Sequence, residues 1–290
     1  MNIVYYTSGV SGMGRIVIGA AIEQAFKRKK QSYSFTIVNS SRHTHLLSGI
    51  KHIEIPVENE LQLSQSNYQK SIVFATLTGL KPDILLVDHM WFTLFNFITD
   101  LPCMKIYLAT NTLGSFFEIQ LKEETMRFNS SHYDRIIAIE PYPCPITNDH
   151  IEPIIIRNHN EILSREEACR RLMLDPGKKH CLFSLNLEEN KSRELRTTYS
   201  YLEEEGYSFF HTSLFSGGIF PIADYFNAFD LVICGGGYNA FWEAVYFKKE
   251  AVFIPVPTRF DYQQWRIDNC QEYKFKRNGA DELVEMILNL

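Results

Sequence analysis

Short apolar runs alternate with stretches of helical periodicity along almost the whole chain. In the first half the runs predict strands at 2–8, 33–39, 52–58, 83–89, 104–110 and 135–140. Helices are predicted there at 14–28, 66–79, 91–100 and 115–127. A second series predicts strands at 180–187, 207–214, 230–236 and 251–257, and helices at 192–205, 221–228, 238–248 and 261–271. This alternation is typical of parallel sheets with crossover helices, so it predicts an α/β fold with two doubly wound, Rossmann-like domains.

A proline-rich segment separates the two series. Residues 141–162 contain four prolines and several turn-forming residues, which disfavour both a helix and a central strand. We therefore expect an N-terminal domain over 1–155 and a C-terminal domain over 156–290 that face each other across a central cleft. Ligands of open parallel sheets bind beyond the carboxyl ends of the strands, so the turns at those ends are the first candidates for a site.

The first such turn is glycine-rich and follows the first predicted strand. In 7-TSGVSGMGR-15 the glycines Gly9, Gly12 and Gly14 are spaced G-x-x-G-x-G, which is not the G-x-G-x-x-G of dinucleotide sites. A tight turn without a ligand is one interpretation. Arg15 favours an anionic ligand instead, because a cation is unfavourable at the positive end of a helix dipole.

The second turn lies in 232-VICGGGYNAFWEAV-245, where three glycines follow a buried strand: Gly235, Gly236 and Gly237. Backbone N–H groups there, with Tyr238 and Asn239 at the start of a helix, can approach an anion. The Lys-Ser or Lys-Thr of a P-loop is missing. Glu243, about one and a half turns into the helix, can accept hydrogen bonds from the vicinal hydroxyls of a ribose, or it can be a plain surface residue.

Two further segments of the second half carry candidate ligand contacts. In 255-PVPTRFDYQQ-264, Asp261 can cap a helix that presents Gln263 and Gln264, whose amides suit sugar hydroxyls. In 213-SLFSGG-218, Phe215 can stack on a nucleobase, although a loop without a ligand is an equal alternative.

Composition excludes several classes of function. A net charge of −5 and a pI near 6.0 argue against a nucleic-acid partner, and the one basic run, 27-KRKK-30, falls where a helix should end. The six cysteines form no CxxC pair, so we expect reduced thiols and neither a disulfide framework nor a metal site. The chain shows neither a signal peptide nor an apolar stretch long enough to be a transmembrane segment, which predicts a cytoplasmic protein.

The run over 229–269 resembles the donor-binding region of nucleotide-sugar glycosyltransferases of the glycosyltransferase-B fold. It is similar above all to the N-acetylglucosaminyltransferases that make the peptidoglycan lipid intermediate. Their glycine turn matches 235–237, their ribose-binding glutamate matches Glu243, and their sugar-contacting pair matches Gln263 and Gln264. Their N-terminal G-x-G-H loop matches 12-GMGR-15, and their k-P-D-v-v-v-x-D strand matches 81-KPDILLVDH-89.

The resemblance implies a two-domain enzyme that transfers a sugar with inversion and without an obligatory metal or cofactor, the nucleotide sugar being a co-substrate. The sequence departs from the family in three ways. Arg15 replaces a histidine and cannot act as a base, and Ala240 replaces a threonine. The chain also ends soon after Gln264, which predicts abbreviated closing helices.

For the base that takes the proton of the acceptor hydroxyl, we expect Asp88 or His89 at the end of a strand, with Glu140 as a weaker candidate. The alternative is that Asp88 caps a helix on which His89 packs. Arg15 would act as an electrostatic clamp on the diphosphate. The aromatic segment 89–102 can touch a lipid-linked acceptor at the membrane surface or simply cover the sheet.

We therefore expect a glycosyltransferase with a uridine diphosphate sugar as donor. Two alternatives remain open. The same fold can direct water onto the donor as a nucleotide-sugar hydrolase, or it can bind a nucleotide sugar without catalysis and act through a partner.

Overall fold

A computed structural model describes residues 1–7, 13–120, 125–186, 189–214, 218–256, 258 and 260–290. The chain divides into two compact units. The first unit comprises Met1–Ile154 together with Arg277–Leu290, and the second comprises Ile155–Lys276.

The first unit is built on a parallel sheet of six strands. Its strands and helices in chain order are β1 (Asn2–Tyr6), α1 (Gly14–Lys29), β2 (Ser34–Asn39), β3 (His52–Glu54), α2 (Ile72–Leu80), β4 (Ile84–Asp88), β5 (Met104–Ala109), β6 (Glu118–Gln120), β7 (Thr125–Arg127) and β8 (Arg135–Ala138). The sheet order is β3-β2-β1-β4-β5-β8. Both faces of the sheet are covered, because β1 and β4 are buried almost throughout. The predicted α/β architecture is confirmed.

Two helices predicted in this unit are wrong. The segment 115–127 contains the antiparallel strand pair of β6 and β7, in which Glu118 and Gln120 are exposed on either side of a half-buried Ile119. This alternation has a period of two and suits a strand. The segment 91–100 forms two short 3₁₀ turns, Trp91–Thr93 and Ile98–Asp100.

The aromatic segment after β4 belongs mainly to the interior. Trp91 and Phe97 are at most 1% exposed, and the indole N–H of Trp91 donates to the carbonyl of Phe116 at 3.1 Å. Of the two interpretations of 89–102, covering the sheet accounts for these side chains.

The second unit carries a parallel sheet of four strands. Its elements are α3 (Arg165–Leu172), β9 (Lys179–Ser184), α4 (Glu189–Thr198), β10 (Tyr207–Thr212), β11 (Leu231–Gly235), α5 (Tyr238–Tyr246), β12 (Glu250–Ile254) and α6 (Gln263–Cys270). The order is β10-β9-β11-β12. The chain winds outward in one direction from β9 and in the other from β11, so the sheet has a topological switch point between these two central strands.

The tail of the chain returns to the first unit, where α7 (Gly279–Leu288) packs on α1. Arg28 pairs with Asp281 at 2.8 Å, and Lys29 pairs with Glu285 at 2.6 Å. A Cβ atom at Gly279 would lie 1.7 Å from the backbone oxygen of Glu152, so only glycine fits there. The sequence placed 277–290 in the second domain, and this difference arises because the basic end of α1 attracts an acidic helix that is distant in sequence.

No helix among the described residues is long and apolar enough to cross a membrane.

Candidate functional site

The glycine turn lies at the carboxyl end of β11, beside the topological switch point, and leads directly into α5. Gly235 ends the strand, and Gly237 is the N-cap residue of the helix, with φ −64° and ψ 154° and no capping side chain. In the first turn of α5, Tyr238 is buried and Asn239 is half-buried. Since the N–H groups and the dipole at a helix N-terminus attract anions, this arrangement can hold a phosphate group.

Packing against α6 accounts for the middle glycine of the turn. A Cβ atom at Gly236 would lie 2.7 Å from Ile267 Cδ1 and 3.3 Å from Gln263 Cβ. At Gly235 and Gly237 a Cβ atom would meet nothing closer than 3.8 Å. The sequence suggested one role for all three glycines. In the structure Gly236 differs from its two neighbours, because its missing side chain lets α6 pack against the turn.

A buried arginine that the sequence analysis missed supports the turn from α6. Arg266 is 0% exposed; its Nη1 donates to the carbonyl oxygen of Gly236 at 2.9 Å, and its Nη2 donates to Asp261 Oδ1 at 3.0 Å. Its guanidinium lies over the ring of Tyr238, with Cζ 5.8 Å from the centroid. The expectation that Asp261 caps α6 is wrong, because Tyr262 is the N-cap residue and Asp261 pairs with Arg266.

The two adjacent glutamines of α6 lie in different environments. Gln263 is buried, and its Oε1 accepts a hydrogen bond from the backbone N–H of Val256 at 2.9 Å. Gln264 is exposed and donates to Asp268 at 2.7 Å. Consecutive residues of a helix point about 100° apart, so only Gln263 lies against the glycine turn.

Glu243 is buried in α5 with 8% of its surface exposed, so the alternative of a plain surface residue is wrong. Burial raises the pKa of this carboxyl group to about 8; the charge of Asp224 adds to the rise and that of Arg157 opposes it. These two neighbours form an ion pair at 2.7 Å. At neutral pH the group is largely protonated, and a carboxylic acid can both donate and accept hydrogen bonds.

The first unit gathers Arg15, Asp88 and His89 into one cluster at the carboxyl edge of its sheet. Arg15 Nη1 donates to Asp88 Oδ1 at 3.0 Å, and Arg15 Nη2 lies 3.2 Å from His89 Nδ1 and 2.9 Å from Thr110 Oγ1. The hydroxyl of Tyr5 donates to Asp88 Oδ2 at 2.5 Å. The candidate clamp and both candidate bases therefore lie together, and the ion pair with Asp88 offsets the charge of Arg15.

Burial sets the protonation of this cluster. Asp88 is 0% exposed, and burial raises its pKa against the opposing charge of Arg15. Burial, aided by the Arg15 charge, lowers the pKa of His89 well below its usual range, so the imidazole is neutral. Arginine only donates, so Nδ1 of His89 accepts and the ring proton resides on Nε2.

The backbone of His89 is unusual, with φ of 68°, a left-handed conformation that is uncommon for residues other than glycine. The turn is closed by the N–H of Met90 on the carbonyl of Asp88 and by that of Trp91 on the carbonyl of His89, both at 2.8 Å. The His89 ring stacks on Phe116 at 4.1 Å between centroids. These contacts hold His89 in place. The Asp88 carboxylate accepts from Tyr5 and Arg15, and Met90 rather than Asp88 is the N-cap residue of the following 3₁₀ turn.

The remaining predicted residues of the first unit make other contacts, and two predicted residues lie outside the described part of the chain. Glu140 is buried and accepts a hydrogen bond from the backbone N–H of Asn111 at 2.6 Å. Gly14 opens α1. Gly12 and Phe215 lie outside the described residues. Across the described ranges, no group of three or more His, Cys, Asp or Glu side chains is arranged to hold a metal ion.

Comparison with known proteins agrees with this geometry. Residues 202–285 match the model of the glycosyltransferase family 28 C-terminal domain, a range that includes the glycine turn, Glu243 and α6. A search of curated proteins finds no significant match.

Solved structures extend the likeness to both units. MurG of Acinetobacter baumannii is similar with a TM-score of 0.54 and 12% identity over 99% of this chain and 91% of that chain. The glycosyltransferase SsfS6 of Streptomyces sp. SF2575, complexed with thymidine diphosphate, is similar with a TM-score of 0.56 and 12% identity over 89% of this chain and 82% of that chain. UGT2 of Phytolacca americana, complexed with UDP-2fluoro-glucose and pterostilbene, has a TM-score of 0.58 and 12% identity over 100% of this chain and 90% of that chain. The shared fold and the family match agree with the prediction from the sequence: the chain has the glycosyltransferase-B fold and resembles MurG, and its residues 202–285 resemble the glycosyltransferase family 28 C-terminal domain.

Proposed function

We propose that this glycosyltransferase transfers a sugar from a uridine diphosphate sugar to an acceptor hydroxyl, with inversion and without a metal ion. The observation that carries the proposal is the turn over 235–237 at the start of α5, with Glu243 buried in the same helix. The acceptor oxygen bonds to the anomeric carbon, the bond from that carbon to the diphosphate breaks, and the nucleoside diphosphate leaves.

The departing diphosphate needs its charge offset in the absence of a metal. The N–H of Gly237 and the first turn of α5 supply donors, and the helix dipole favours negative charge. Gln263, whose Nε2 lies 3.8 Å from the Cβ position of Gly237, would contact the sugar beside the diphosphate.

Glu243 favours a ribonucleotide. A carboxyl group that both donates and accepts can bind the two vicinal hydroxyls of a ribose. SsfS6 was solved with thymidine diphosphate and UGT2 with a UDP-sugar, so the nucleobase is open to test. Thymidine diphosphate lacks the 2′-hydroxyl, and on this basis we expect the uridine nucleotide to bind more tightly.

Acceptor activation is assigned to the cluster in the first unit. Asp88 retains lone pairs that can take a proton, and its raised pKa makes it a stronger base than an exposed aspartate. His89, protonated on Nε2, would donate a hydrogen bond to the acceptor and so orient it. Arg15 would fix both side chains rather than clamp the diphosphate itself.

Calorimetric titration with UDP and thymidine diphosphate tests the donor site. We expect Glu243→Ala to weaken UDP binding about 10- to 100-fold and to narrow the difference between the two nucleotides, because the lost hydrogen bonds involve the ribose. Glu250→Ala, at the exposed start of β12, is the matched control. Undiminished UDP affinity in Glu243→Ala would refute the ribose role.

Labelled UDP-sugars, incubated with and without candidate acceptors, test the reaction. We expect transfer with inverted anomeric configuration and an unchanged rate in excess EDTA. Free sugar without acceptor would indicate a hydrolase, and binding without turnover would indicate a silent nucleotide-sugar-binding protein. For a lipid-linked acceptor, which a cytoplasmic enzyme would meet at the membrane surface, co-sedimentation with acceptor-loaded liposomes is the direct assay.

A further inference from the structure

We propose that Arg266 is a positioning residue that fixes the peptide between Gly236 and Gly237 for binding of the diphosphate. The inference rests on the proposed function, and it concerns a residue of α6 that contacts the turn through a backbone carbonyl. Arg266 is fully buried, and its guanidinium joins the carbonyl of Gly236 to the carboxylate of Asp261.

The geometry of one peptide group carries the argument. The carbonyl of Gly236 and the N–H of Gly237 belong to the same planar trans peptide, so they point in opposite directions. Arg266 holds the carbonyl at 2.9 Å and therefore directs the N–H of Gly237 away from α6. A glycine pair is otherwise free to rotate this peptide, since neither residue has a Cβ atom to restrict it.

The rest of the turn is tied in the same way. The N–H of Gly236 donates to the carbonyl of Ile254 on β12 at 3.0 Å, which commits it to the sheet. Gln263 holds the segment after β12 through the N–H of Val256 at 2.9 Å. With these groups engaged, the N–H of Gly237 is the donor of the turn whose direction depends on Arg266.

The cation also strengthens that donor. A charged group bonded to a carbonyl polarises the whole peptide, and in a buried site this makes the attached N–H a stronger hydrogen-bond donor. Asp261 keeps the buried guanidinium paired at 3.0 Å, so the arginine is held in one orientation without a ligand.

Nucleotide binding by substituted proteins tests the role. We expect Arg266→Met to weaken UDP binding about 10- to 100-fold, to weaken UMP binding less, and to leave uridine binding within about twofold, because only phosphate meets the N–H of Gly237. Arg266→Lys, which keeps the charge and one bond to Gly236, should give an intermediate loss even if the methionine variant folds poorly.

Arg165→Met is the matched control. Arg165 likewise joins an aspartate, Asp230, to backbone carbonyls, but it does so at the amino end of β11. Its removal should lower the melting temperature and leave UDP affinity within about twofold. A loss of uridine affinity equal to that of UDP, or unchanged UDP affinity in both Arg266 variants, would overturn the role of Arg266. A wild-type protein that binds neither UDP nor thymidine diphosphate would instead overturn the proposed function, and this role with it.

Discussion

Each unit holds an arginine–aspartate pair near the carboxyl edge of its sheet, and the contacts of the two pairs differ. Arg15 pairs with Asp88 and extends to the side chains of His89 and Thr110. Arg266 pairs with Asp261 and extends to the backbone of Gly236. The first arginine organises titratable side chains, whereas the second organises a peptide group.

Under the proposed function, this difference divides the chemistry between the units. Proton transfer requires side chains with shifted pKa values, and the first unit supplies them in Asp88 and His89. Binding of a diphosphate requires oriented N–H groups, and the second unit supplies a glycine turn at a helix N-terminus. The difference at Arg15 from the family that the sequence resembles then has a structural explanation, because this arginine offsets the charge of a buried carboxylate.

The largest effect is expected from Asp88→Asn. Asparagine keeps the shape but cannot take a proton, so we expect turnover to fall about 10²- to 10⁴-fold while UDP affinity, measured by calorimetry, stays within about twofold. Asp83→Asn, at the exposed amino end of the same strand, should leave both unchanged. Full turnover in Asp88→Asn would place the base elsewhere and remove the chemical distinction between the units.

The next effect concerns the unfolding free energy of the second unit and how it depends on pH. The pKa of Glu243 is raised from 4.5 to about 8 in the folded chain. Between these values the folded state keeps the proton and the unfolded state releases it. The contribution of Glu243 to stability is therefore largest below pH 4.5 and is lost as pH rises through 8. We expect the unfolding free energy of the wild type, relative to Glu243→Gln, to fall by up to about 5 kcal/mol over this range.

Denaturant titrations of both proteins at several pH values measure this difference. Glu250→Gln at the exposed start of β12 is the control for a change of charge alone. A difference between wild type and Glu243→Gln that is independent of pH would mean that Glu243 is ionised in the folded chain, and the argument for a carboxylic acid that binds ribose would fail.

The sequence predicted the parts of the molecule that depend on local pattern. Apolar runs located the strands of the two parallel sheets, and the glycines at the end of β11 located the turn. Arg266 left a weaker signal, because Gln263, Arg266 and Cys270 recur at helical spacing on the buried face of α6. Two polar residues on such a face suggest a buried polar contact, but Gly236, the backbone partner of Arg266, is 30 positions away in the sequence.

The errors come from contacts between distant segments. Local composition favoured a helix over 115–127, yet the pairing of β6 with β7 and packing around Phe116 decided the structure. The position of α7 depends on ion pairs with α1 across more than 250 residues. No periodic pattern contains such information, so the domain to which the tail belongs could not be predicted.

The smallest effect separates two adjacent glycines of the turn. Alanine at Gly236 would bring a Cβ atom to 2.7 Å from Ile267 Cδ1, and we expect a loss of about 1–3 kcal/mol in unfolding free energy. Ile267→Val removes that Cδ1 atom, so it should restore part of the stability in the double variant. At Gly237 a Cβ atom has 3.8 Å of room, and its φ of −64° suits alanine, so Gly237→Ala should change stability by less than about 0.5 kcal/mol.

UDP titration of the same proteins completes the comparison. If the N–H of Gly237 binds the diphosphate, alanine there crowds the ligand and lowers UDP affinity in a protein of normal stability. Equal stability losses at both positions would mean that α6 packs against the whole turn, and the turn would then be a structural feature rather than a site for an anion.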